Sequence, residues 1–92
     1  MTKFITGQLV WTRGVNEKIA DDEEFARFVF TSIRRHIRGD WGDLDQEDIR
    51  ENELSLRKGF RLLSSYKYRN EKIWIITEAD RSATTVLFPD EY

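Results

Sequence analysis

Between two apolar runs, in the tract KIWIITEADRSATTVLF (72–88), lies the polar cluster Glu78, Asp80, Arg81 and Ser82. Two carboxylates two residues apart can bind a cation or share a proton, and an adjacent guanidinium can neutralise them or hold an anionic group. The same residues are also ordinary hairpin chemistry. In that reading Asp80 accepts a bond from a downstream amide of its own turn, and Arg81 pairs with a neighbouring carboxylate. The cluster would then fix the register of two apolar strands, where a slip of one residue turns every core side chain outward. The competing reading makes Glu78, Asp80 and Arg81 a contact site on a loop held out by a rigid sheet.

A second set combines cations with aromatic rings: Arg61, Tyr66, Lys67, Tyr68, Arg69, Lys72 and Arg81. Rings and cations on a sheet surface are what single-stranded nucleic acid needs, although no paired aromatic signature of an RNA-binding domain is present. His36, the lone histidine, sits beside Ile37 on the edge of a helical apolar stripe. There it is expected to pack its ring and wet its polar end, and no nucleophile pairs with it in the sequence. Asp40, Asp43, Asp45 and Asp48 lack the spacing and the final glutamate of a calcium loop and read as caps and surface. No Gly-rich phosphate loop, metalloprotease helix motif or serine elbow occurs, so no catalytic residue, metal site or cofactor is assigned.

The elements that must position these residues follow from composition and period. Ninety-two residues suit one core, so a single domain over residues 1–92 is expected. Hydrophobic residues at 39% argue for folding, and charged residues at 35% give a densely charged surface. No cysteine is present, which excludes disulfides and thiolate chemistry. The start MTKFITGQLVW has no leader pattern and no stretch reaches membrane-spanning length, so a cytoplasmic location without membrane contact is expected. The formal charge of −2 is unevenly spread. Residues 15–56 hold twelve acidic and six basic side chains, whereas residues 57–81 hold three and seven.

KFITGQLVWTRG reads as a first strand, with Gly7 marking a bulge or close approach. Phe25, Phe28, Val29, Ile33 and Ile37 recur at helical spacing, with Asp21 and Glu24 as the capping pair and Gly39 as the stop. A second helix runs from the cap Asp45 to the stop Gly59. Its apolar stripe of Ile49, Leu54 and Leu56 is thin, so most of its circumference should be wet. The short connection GDWGDL between the helices carries Trp41, expected to be a buried anchor. FRLLSSYKY, KIWIIT and ATTVLF then read as three strands, the first two joined by a hairpin at Asn70. The expected fold is α+β in the order β-α-α-β-β-β, a mainly antiparallel sheet with two helices on one face.

Taken together, GDWGDL, ENELSLRKGFRLLSSY and KIWIITEADRSATTVLFPDEY resemble a family of short bacterial proteins of mobile elements known as plasmid-related proteins. The resemblance covers nearly the whole chain and implies a phage or plasmid habitat, where proteins of this size are often toxins, antitoxins or inhibitors of host defence. The element order is also similar to that of the RelE/ParE toxins, which are usually strongly basic, as this chain is not. The reading is a non-enzymatic module that binds a host or element-encoded protein, with Trp41, Asp43, Glu78, Asp80 and Arg81 as contact residues. The alternative is a toxin-like ribonuclease or RNA binder using Arg61, Tyr66, Lys67, Arg69 and Arg81.

Overall fold

A computed structural model describes residues 2–92. Its first strand, β1 (Gln8–Trp11), is shorter than KFITGQLVWTRG leads one to expect, and both ends have a local cause. Upstream, Gly7 turns the chain at φ +62° and lies so close to Arg81 and Ser82 that a Cβ would sit 2.3 Å from a carbonyl oxygen. Only glycine permits that approach. Downstream, Thr12 is the cap of a helix, its hydroxyl accepting from the amide of Val15 at 3.4 Å.

That helix, α1 (Arg13–Asp21), is separate from α2 (Glu23–Ile37), so three helices stand where two were expected. The break lies at Asp22, whose backbone is extended at φ −139°, ψ 103° and whose carboxylate accepts from Phe25 N–H at 3.1 Å. Asp22 with Phe25, rather than Asp21 with Glu24, therefore starts the longer helix. An acidic run placed at a helix N-terminus meets the positive end of the dipole, whereas mid-helix it would only repel itself. Helix α3 (Gln46–Lys58) has the expected ends: the Asp45 carboxylate caps Asp48 N–H at 2.8 Å, and Gly59 closes it at φ 78°.

Strands β2 (Leu62–Tyr68), β3 (Glu71–Thr77) and β4 (Ala83–Leu87) complete one sheet in the order β1-β4-β3-β2. Only β1 with β4 is parallel, so the α+β class and the mainly antiparallel sheet stand as expected. The register places Ser64, Tyr66, Ile73, Ile75 and Val86 on one face, against Val15 of α1 and Phe25, Val29 and Ile33 of α2. That face carries two helices, but they are α1 and α2. Helix α3 goes elsewhere because its stripe is too thin to cover a core face.

It lies along the β2 edge instead. The Asn52 side chain takes both backbone groups of Leu63, donating to its carbonyl at 2.6 Å and accepting from its amide at 3.1 Å. One residue pair further, Ser65 N–H donates to Trp41 O at 3.2 Å and Ser65 O accepts from Asp43 N–H at 2.6 Å. The chain can approach this closely because Gly42 lacks a side chain; a Cβ there would meet Ser65 O at 2.0 Å. The β2 edge is thus closed to further strands.

Candidate functional site

The side chains left over by this packing define a groove. Its floor is the sheet face opposite the core, where Leu63, Ser65, Lys72 and Trp74 point away from α1 and α2 and beside α3. Its volume is about 690 Å³. One wall is the start of α3 and the loop before it, bringing Asp43, Asp45, Asp48 and Glu51 to the rim. Arg61 and Lys72 also line the groove. None of these six takes part in an ion pair among the described residues. Residues from the acidic middle and from the basic remainder of the sequence thus line one cleft. Unpaired charges of both signs favour a polar occupant with charges of its own. The carboxylates are spread along the rim, and no cluster of three or more His, Cys, Asp or Glu placed to hold a metal ion occurs among the described residues.

Of the residues expected to contact a protein, only Asp43 lines this groove. Trp41 is 4% exposed and is the anchor its position implied. Its indole N–H donates to Glu53 at 2.8 Å, and its ring packs on Phe4 and His36. Glu78, Asp80 and Arg81 sit in the β3–β4 turn. Asp80 accepts from Ser82 N–H at 3.0 Å, the expected bond within its own turn, and that contact with Ser82 holds its carboxyl below the usual range. Arg81 departs from expectation. It pairs with carbonyls rather than a carboxylate, donating to Phe60 O at 2.7 Å, Glu78 O at 3.1 Å and Ser55 O at 3.2 Å. The physical reason is its place over the C-terminal end of α3, where exposed carbonyls present partial negative charge. Arg81 adopts φ 61°, a left-handed conformation that these bonds hold in place.

The RNA-contact set is not brought together. Tyr66 is fully buried, with its hydroxyl donating to Asp40 O at 2.6 Å and Arg35 stacked 4.8 Å from its ring. Arg69 pairs with Glu24 at 3.0 Å near the core face, while Lys67 points from the opposite one. Arg61 lies over the ring of Tyr92. Alternation along β2 separates Tyr66 from Lys67 by construction, a constraint the sequence cluster conceals.

His36 is the one group whose environment differs most from expectation. It is 0% exposed instead of wetting its polar end. Nδ1 lies 2.5 Å from the Ser64 hydroxyl and Nε2 lies 2.9 Å from the Thr77 hydroxyl, which lies 2.7 Å from that of Thr84. Thr84 donates to Thr6 O at 2.8 Å, so its proton is committed. Thr77 must then donate to Thr84 and accept from Nε2–H, leaving Nδ1 to accept from Ser64. A single tautomer follows, with the ring neutral. Burial, with the Arg81 charge adding to it, pushes the imidazole down to about 3. Ser64 is itself 0% exposed, so the histidine and hydroxyl form a buried polar joint between α2 and the sheet and present nothing to a substrate.

Sequence reasoning missed Asn52, Asp48, Glu51 and Trp74 as groove residues, and Glu91 as a cap. Glu91 accepts from Thr12 Oγ1 at 2.5 Å, Gly14 N–H at 3.0 Å and Phe88 N–H at 3.0 Å, joining the 3-10 turn Pro89–Glu91 to the start of α1. Partial burial acts against its charge, but these three donors outweigh it and hold the carboxyl low. No helix of the described chain is long and apolar enough to cross a membrane. Comparison with protein-family models, curated proteins and solved structures finds no match to this chain.

Proposed function

We propose that this chain is a non-enzymatic protein-binding module of a mobile genetic element, and that it holds an extended, lysine- or arginine-bearing segment of its partner in the groove between α3 and the open sheet face. One observation carries the reading: the carboxylates of Asp43, Asp45, Asp48 and Glu51 line one wall without ion-pair partners, above an apolar floor of Leu63 and Trp74. Cationic side chains of a partner would meet that wall, and an acidic residue would meet Arg61 and Lys72. The resemblance to plasmid-related proteins supplies the habitat, so the partner is a host or element-encoded protein, with inhibition of a host defence protein as the outcome of occupying its surface. The turn residues Glu78, Asp80 and Arg81 act on this view through folding.

RNA binding is the second reading. It rests on Lys67 and Lys72 facing each other across β2 and β3, on the face where Trp74 meets Tyr92 and Arg61 covers Tyr92. The acidic wall beside that platform repels phosphate, which favours the first reading.

Affinity capture from the native host, with mass spectrometry, tests the proposal when wild-type bait is run beside Asp48→Lys/Glu51→Lys bait. A protein retained by wild type and lost from the folded variant is the expected result. Equal recovery by both baits would remove the groove from the account, and recovery of RNA in place of protein would promote the second reading.

A further inference from the structure

The two edges of the sheet are treated differently by the chain. The β2 edge is closed by Asn52 and by the Trp41–Asp43 segment, as described above. The β1 edge has no such cover. Gln8 N–H donates to Ser82 O and Thr12 N–H to Val86 O, so the even-numbered residues of β1 face β4. Leu9 and Trp11 consequently turn their amides and carbonyls outward, and no backbone group among the described residues meets them. The strand QLVW contains no lysine, proline or other charge of the kind that usually guards an exposed edge. Beside it lie exposed apolar side chains: Ile5 at 73%, Leu9 at 39% and Phe30 at 43%, the last in edge contact with the Trp11 ring.

We infer that the β1 edge is a homodimer interface, in which β1 pairs antiparallel with β1 of a second copy about a two-fold axis at Val10 and the two sheets become one of eight strands. The occupant follows from the spacing of the outward groups. A two-fold axis at Val10 sets Leu9 opposite Trp11 of the second copy and Trp11 opposite its Leu9. Both are positions that exchange two hydrogen bonds in an antiparallel ladder, so four bonds form and no outward group of the strand is left over. Val10 then meets its own copy as the closely spaced pair between them, apolar against apolar.

The surrounding charge fits the same operator. Symmetric pairing brings identical residues together, which a charged strand would resist and this uncharged one does not. Arg13, exposed just beyond the strand and paired among the described residues with the solvent-exposed Glu17, comes to the end of the partner strand. There Gly7 packs on the turn that carries the exposed Asp80 carboxylate, an opposite charge. The groove between α3 and the sheet lies over β2 and β3, at the other end of the sheet order from β1, so a dimer of this kind leaves it open on both copies.

The test is sedimentation equilibrium from about 10 µM to about 1 mM, a range that spans weak to moderate association, joined to amide hydrogen exchange at both ends of the range. The expected result is a mass that rises toward two chains, with the Leu9 and Trp11 amides gaining ~10-fold or more protection as concentration rises while the core amides of β3 do not change. Leu9→Pro removes an outward donor that β4 does not use, and Leu9→Lys places a charge on the edge. Both are expected to remain single chains at every concentration, and if the proline variant fails to fold the lysine variant carries the comparison alone. A wild-type protein that stays a single chain throughout would overturn the inference. So would a dimer that survives in the folded variants, or one that forms without protecting Leu9 and Trp11.

Discussion

Protonation of His36 provides the sharpest quantitative consequence of the buried joint. Both ring nitrogens already have partners, and a proton on Nδ1 would reverse the bond it accepts from Ser64 and place a charge in a fully buried site beside the Arg81 cation. The folded protein thus keeps the ring neutral down to about 3, whereas the unfolded chain takes a proton near the ordinary histidine value of 6.5. The sign follows directly. A base whose folded pKa is depressed contributes stability that is full above the unfolded pKa and is lost as pH falls toward the folded one. At about 1.4 kcal/mol per pH unit, the loss between pH 7 and pH 5 is about 2 kcal/mol, a sizeable share of the roughly 5–15 kcal/mol typical of a domain. Asp40, Asp80 and Glu91 are also held below their usual values, but depressed carboxylates lose their contribution only near and below their unfolded pKa, beneath this window. Urea unfolding at pH 7, 6 and 5, on wild type and on His36→Gln, isolates the imidazole. The wild-type curve should fall by about 2 kcal/mol more than that of the variant, which cannot titrate. Parallel curves, or an imidazole resonance that titrates near pH 6.5 in the folded protein, would refute the buried neutral joint.

Trp41→Ala should destabilise by about 3–5 kcal/mol in chemical unfolding, because the ring is enclosed and its N–H leaves Glu53 unpartnered. Gly42→Ala should cost about 2 kcal/mol or more, read by the same assay, since its left-handed φ of 76° and the clash an added methyl group would make with Ser65 O both oppose it. Arg81→Lys should lower the melting temperature nearly as far as Arg81→Ala, because a point charge cannot span carbonyls on α3 and on the turn; full rescue by lysine would show that charge alone matters.

Where local chemistry sets the outcome, the sequence was readable. Asp45 and Gly59 bound α3, Gly39 follows α2, and Trp41 is buried, each for a reason contained within a few residues. The split at Asp22 was less legible because α1 has only Val15 and Ile19 to mark its apolar side. Long-range partners were hidden altogether. Asn52 closes an edge eleven residues ahead, Glu91 caps a helix near the opposite terminus, and Arg81 finds carbonyls of α3 where a carboxylate was expected. The groove was only half visible: charge asymmetry along the chain showed that acidic and basic tracts exist, but nothing one-dimensional says that residues of both line one cleft.

Titration calorimetry of the captured partner against three proteins tests the groove most directly: wild type, Asp48→Lys/Glu51→Lys and Asp80→Ala, each with its melting curve. The account predicts that the groove variant, although it melts slightly lower because Asp48 lies in the first turn of α3, binds at least ~10-fold more weakly while fully folded, since like charges would then face the partner's cations. Asp80→Ala should melt lower and, while folded, bind as wild type does. A groove variant with undiminished affinity beside a stable Asp80→Ala protein that no longer binds would contradict the account and make the β3–β4 turn the contact site.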